Sequence, residues 1–126
     1  MNSVVTNKPW GSFTSFIKNG ACTVKLLNIV KGELLSLQYH KSRDEFWKVI
    51  SGRPKIIIGQ DEFEAHEGDE FNIPAMTKHR IIADYNDVVI LEIATGDFDE
   101  DDIVRLEDKY DRNTEKSENN ESSLGE

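Results

Sequence analysis

The sequence predicts an all-β domain, a sandwich or barrel, on three observations. Between Trp10 and Thr95, eight short segments rich in β-branched and aromatic residues follow one another, each bounded by Gly, Pro, Asp or Asn. No stretch there sustains an apolar stripe of helical period over three turns. Short strands at such even spacing are the pattern of two-sheet and closed β architectures.

In order, the segments are CTVKLLNIV, ELLSLQYH, FWKVIS, PKIIIG, DEFEAH, DEFNIP, HRIIADY and VVILEIA. GQDEF at Gly59 to Phe63 predicts a tight hairpin, and HEGDEF at His66 to Phe71 a second turn. Trp10, after Pro9, reads as a packing anchor for an N-terminal strand. Beyond Thr95, GDFDEDDIVRLEDKYDR predicts a turn of helix started by Asp99. An extended segment follows, with Ile103, Val104, Leu106 and Tyr110 to pack back on the body. NTEKSENNESSLGE has a single aliphatic residue, Leu124, which predicts a folded domain over 1–112 and a disordered acidic tail over 113–126.

A chain of 126 residues suits one domain with a real core. The last 30 residues hold 12 of the 24 acidic groups and 4 of the 15 basic ones, so the body is close to neutral. It has no basic stripe to neutralise phosphates, which argues against a nucleic-acid partner. No leader pattern and no apolar run of membrane-spanning length is present, so the expectation is a cytoplasmic protein without a membrane partner. The lone Cys22 excludes an intrachain disulfide and reads as a small packed strand residue.

ELLSLQYH carries the chemistry. Alternation sends Ser36, Gln38 and His40 to one face and Leu35, Leu37 and Tyr39 to the other. The polar face needs a wet cavity or a ligand, and the apolar face needs a second sheet or a second subunit, here a homodimer. Downstream, Gly68 sits at a turn, Pro74 at a strand end and His79 at the next strand start. Hairpins that bring Gln38, His40, Glu45 and His79 to one point offer two imidazole nitrogens and two oxygens, with positions left open. That donor set suits zinc first and leaves manganese, cobalt, nickel and iron open. The bland alternative is a set of strand residues that satisfy one another. His66 falls outside this pattern and reads as a surface residue.

The spacing Gly32, five residues, Gln38-x-His40, four residues, Glu45, six residues, Gly52 resembles the first motif of the cupin superfamily. Gly68, five residues, Pro74, four residues, His79 resembles the second. Gln38 stands for that motif's first His, and Ala83 for a later Asn. With KPWGSF, LSLQYHKSRDEFW, IPAMTKHR and DFDEDDIVRLEDKYDR, the chain from Lys8 to Arg112 is similar to the C-terminal isomerase domain of type II phosphomannose isomerases. The resemblance implies a cupin barrel, a double-stranded β-helix or jelly roll, that interconverts mannose 6-phosphate and fructose 6-phosphate with one divalent metal. It implies Gln38, His40, Glu45 and His79 as metal ligands and Lys8, Arg43 and Arg105 as the sugar-phosphate contacts. Arg105 and Lys78 are the candidate catalytic groups. Lys41, Ser42 and Phe46 stand where the family carries further histidines, and Lys8 replaces an Arg. The alternatives are a non-catalytic sugar-binding cupin, or another cupin enzyme such as a nucleotide-sugar ketoisomerase, an epimerase or an oxygenase.

Overall fold

A computed structural model describes residues 3–17, 20–96 and 101–109. Among the described residues there are eleven strands and no helix. They are β1 (Val4–Lys8), β2 (Gly11–Ser15), β3 (Cys22–Ile29), β4 (Leu37–Tyr39), β5 (Arg43–Ser51), β6 (Lys55–Ile58), β7 (Asp61–Glu64), β8 (Glu70–Ile73), β9 (His79–Ile82), β10 (Val88–Gly96) and β11 (Val104–Glu107). β1 and β2 form a hairpin of their own, while the rest make two antiparallel sheets ordered β3-β10-β5-β8 and β11-β4-β9-β6-β7.

Period-two patterning explains how the sheets face each other. Along β3, Leu27 and Ile29 turn inward while Leu26 and Asn28 turn out. Trp47, Val49 and Ile90 of one sheet meet Ile56 and Ile81 of the other in a shared core. Where β7 and β8 approach from the two sheets, the Phe63 and Phe71 rings pack with centroids 5.3 Å apart. Polar side chains fill the rest of the interior: Ser36, Gln38, His40, Arg43, Glu45, His79, Glu92 and Arg105 are all buried. So many enclosed polar groups must be held by one another or by a ligand.

The ELLSLQYH segment is not one continuous strand. Leu34 pairs with Ile82 and Gln38 with His79, so four steps on one side span three on the other. One extra residue therefore bulges between Leu34 and Gln38, a device common beside functional sites. The face assignment holds: Ser36, Gln38 and His40 are buried, and Leu35, Leu37 and Tyr39 are half-buried. Two packing expectations fail. Trp10 is 72% exposed, because it lies in the tight turn between β1 and β2, which pair only with each other. Cys22 is exposed at the first position of an edge strand. The helical turn expected at Asp99 lies outside the described residues, and from Val104 to Glu107 the segment is strand β11 alongside β4. Tyr110, the boundary at Arg112 and the acidic tail also lie outside the described residues.

Candidate metal centre

Four strands and one loop build the site. Register places Gln38 of β4 between His79 of β9 and Arg105 of β11, so these three side chains share the inner face of the five-stranded sheet. Glu45 comes from β5 of the facing sheet, paired with Ala94 on one side and Ile73 on the other. His40 follows β4 directly, at the head of the loop that leads into β5.

His40, Glu45 and His79 each offer a ligand atom, and these atoms all lie within 4.8 Å of one another. His40 Nε2 is 3.3 Å from Glu45 Oε2, and His79 Nε2 is 3.6 Å from Glu45 Oε1. All three residues are 3% exposed or less. Each ring is oriented from behind by the main chain. His40 Nδ1 lies 2.6 Å from the carbonyl oxygen of Asp102, and His79 Nδ1 lies 2.9 Å from that of Thr77. A carbonyl can only accept, so both Nδ1 atoms carry the proton and both Nε2 atoms present a lone pair. Burial, with Arg43 alongside, lowers the His40 imidazole to about 3, and burial lowers His79 to about 4. Both rings are neutral at pH 7, the form that ligates metal.

The site fits a divalent ion on its own geometry. His79 Nε2 is buried with no hydrogen-bond partner among the described residues, which is costly unless something uses that lone pair. Donors about 2.1 Å from a tetrahedral zinc stand roughly 3.4 Å apart, the scale of the separations seen. Gln38 is fully buried beside His79, and its Oε1 accepts a 2.7 Å hydrogen bond from Ser36 Oγ. A second lone pair on that oxygen allows it a further partner.

The expected cationic residues separate. Arg43 is buried against the cluster: its Nε and Nη2 donate to Glu45 Oε2 at 3.0 and 2.8 Å, and Nη2 lies 3.1 Å from His40 Nε2. Arg105 is fully buried on β11 opposite Gln38. Lys8 is exposed at the end of β1, on the separate hairpin. Lys78 is half-buried next to His79 and makes no side-chain hydrogen bond or ion pair among the described residues. His66 is on the surface, as expected.

Several contributors carried no clear sequence signal. Asp102, the last acid of the run DFDEDD, accepts backbone N–H bonds from Lys41 (2.8 Å) and Ser42 (2.9 Å) and so clasps the loop after His40. Burial alone would raise its carboxyl, but those two donors and the neighbouring His40 and Arg43 outweigh that and hold it below the ordinary range. Trp47 packs edge-on against His79 at 5.3 Å, and its indole N–H donates to the buried Glu92 at 3.1 Å. Two cavities of about 340 and 310 Å³ are present, and Glu45 is among the residues that line the larger one. Asp44, Phe46, Asn72 and Thr95 of the first share the face of their sheet opposite to Glu45, and the second sits at Arg53, Lys55 and His66.

Two antiparallel sheets that enclose a His–Glu–His cluster on paired motifs define a cupin, and this chain is one. Its residues 2–108 match the family described as mannose-6-phosphate isomerase C-terminal. The chain belongs to that family. The alginate biosynthesis protein AlgA of Pseudomonas aeruginosa is 36% identical to it over 110 residues, 86% of this chain and 23% of that protein. The chain thus spans less than a quarter of that relative's length. A sugar phosphate isomerase of the cupin superfamily from Silicibacter pomeroyi is similar in structure, with a TM-score of 0.55 and 26% identity over 60% of this chain and 51% of that one. The capsular polysaccharide assembling protein CapF from Staphylococcus aureus shares the fold at a TM-score of 0.63, with 23% identity over 84% of this chain and 34% of that one.

Proposed function

We propose that the chain is a divalent-metal-dependent sugar-phosphate isomerase that interconverts mannose 6-phosphate and fructose 6-phosphate in the cytoplasm. One observation carries the reading: in a chain of this family, two neutral imidazoles, each fixed by a backbone carbonyl, converge with Glu45 on one buried point. His40, Glu45 and His79 would hold the ion, zinc first, with Gln38 as fourth ligand. Bound there, the ion supplies Lewis-acid stabilisation of the negative charge that develops on the substrate oxygens.

The remaining work falls to the protein. Isomerisation removes a proton from carbon 2 of the open-chain aldose and returns one to carbon 1, which needs a base within reach. Lys78, beside His79, is the candidate. Arg105 and Lys8 are the candidate phosphate contacts, and the guanidinium of Arg105 is suited to forked contact with phosphate oxygens. In the working form two copies associate.

The test is a coupled isomerase assay on metal-stripped protein reloaded with zinc, cobalt or manganese. Turnover of mannose 6-phosphate is expected with at least one metal, and His79→Ala is expected to lose both stoichiometric metal and turnover. Fully loaded wild-type protein that binds the sugar phosphate without turning it over would instead establish the second reading, a non-catalytic sugar-phosphate-binding cupin. Arg43 favours that alternative, since its guanidinium already bonds Glu45 and His40.

A further inference from the structure

The environment of Arg43 has a chemical consequence that the metal-ligand set alone does not contain. Arg43 and Glu45 are two apart on β5, so their side chains share the inner face, and both are about 3% exposed. The guanidinium places two N–H donors on one carboxylate oxygen, Glu45 Oε2, at 2.8 and 3.0 Å. Its Nη2 also reaches His40 Nε2 at 3.1 Å. Because His40 Nδ1 donates to the Asp102 carbonyl, Nε2 is the acceptor in that contact. A neutral imidazole nitrogen of this kind has one lone pair, in the ring plane. It can accept from Arg43 or coordinate an ion, and it cannot do both.

We propose that Arg43 and a divalent cation are alternative occupants of the Glu45–His40 donor pair. The guanidinium is a built-in counter-ion that must withdraw for the ion to bind, and it thereby sets how tightly the site holds metal. This rests on the reading of His40, Glu45 and His79 as a metal centre. Charge argues the same way, since a guanidinium and a divalent ion sharing one buried carboxylate repel each other with little water between them. It also explains the different states of the two histidines. His79 Nε2 has no hydrogen-bond partner among the described residues and is ready for coordination, while His40 Nε2 is engaged. Asp102 gives the displaced guanidinium a second carboxylate, close enough that Arg43 already influences its ionisation.

The experiment measures Co²⁺ affinity of metal-stripped protein by calorimetry with a competing chelator, for wild type, Arg43→Gln and His79→Ala. Arg43→Gln is expected to bind Co²⁺ at least 10-fold more tightly than wild type, and His79→Ala to lose stoichiometric binding. Removing Arg43 leaves Glu45 buried without its counter-charge and can unfold the variant, so a second measurement uses wild-type protein alone. The Arg43 Nε–H resonance, assigned by its loss in Arg43→Lys, is expected to shift and to exchange faster with solvent at one equivalent of Zn²⁺. Wild type that binds one equivalent while that resonance stays unchanged overturns the proposal, as does a folded Arg43→Gln with equal or weaker affinity. Wild type with no stoichiometric binding, or His79→Ala binding like wild type, removes the metal centre and the proposal with it.

Discussion

A single carboxylate, Asp102, joins the C-terminal segment to the loop that carries His40. It accepts the N–H groups of Lys41 and Ser42, while its own carbonyl orients the His40 ring. Asp102→Ala removes both charge-assisted bonds and leaves the loop unclasped. The expected cost is about 1–3 kcal/mol in denaturant unfolding. Metal affinity is expected to fall roughly 10-fold, the scale on which loss of an outer partner weakens a site. Asp102→Asn keeps an acceptor and should recover part of both. That His40, Glu45 and His79 come together was legible in the sequence, because strand alternation and turn glycines fix where they emerge. Asp102 was legible only through its match to the family's pattern, because an acid in an acidic run gives by itself no hint of which one faces inward. The inward burial of Arg43 on Glu45 was equally hidden, since a charged strand residue more often faces solvent.

At the level of the element, the turns of the two motifs hold the strands in register. Gly52 ends β5 at φ 91°, and a Cβ there would lie 2.3 Å from the carbonyl oxygen of Asp87. Backbone cannot step aside as a flexible side chain can, so Gly52→Ala is expected to cost about 1–3 kcal/mol, read as a fall in the urea midpoint. A silent substitution would mean that the β5–β6 and β9–β10 turns do not touch in solution. The eight segments read from the sequence all appear as strands or bridges, since apolar alternation and turn residues act locally. The β1–β2 hairpin escaped as a paired unit, because VVTNK and GSFTS have little apolar alternation. The break in ELLSLQYH escaped as well, for a bulge is decided by what the partner strand β9 offers.

Across the whole molecule, two buried neutral histidines couple stability to pH. Their folded values, about 3 for His40 and about 4 for His79, lie below 6.5, so the unfolded chain binds more protons in the interval between. Stability is therefore full above pH 6.5 and falls on acidification, each ring contributing a slope of up to about 1.4 kcal/mol per pH unit. Urea unfolding at pH 7, 6, 5 and 4 should show this slope, and His79→Ala should flatten it. An unchanged slope in that variant would place the acid sensitivity in other groups. For the proposed homodimer, a second candidate contact besides the Leu35, Leu37 and Tyr39 face is the outer face of β3, where Val24 and Leu26 are 58% and 61% exposed. Leu26→Asp is expected to halve the mass measured by light scattering at high micromolar concentration. A wild type already monomeric there would rule the dimer out. Fold class was readable from the run of short strands, whereas assembly was not, because a half-buried face looks the same in sequence whether a neighbouring element or a second subunit covers it. The carbonyls of Asp102 and Thr77 that set the two imidazole tautomers bear on how such a site changes over time. Every amino acid brings the same carbonyl, so the poise of both rings is carried by atoms that no codon change can delete. Mutational scanning at Thr77 would register tolerance at a position whose main chain is indispensable, and drift there can proceed while the chemistry it supports stays fixed.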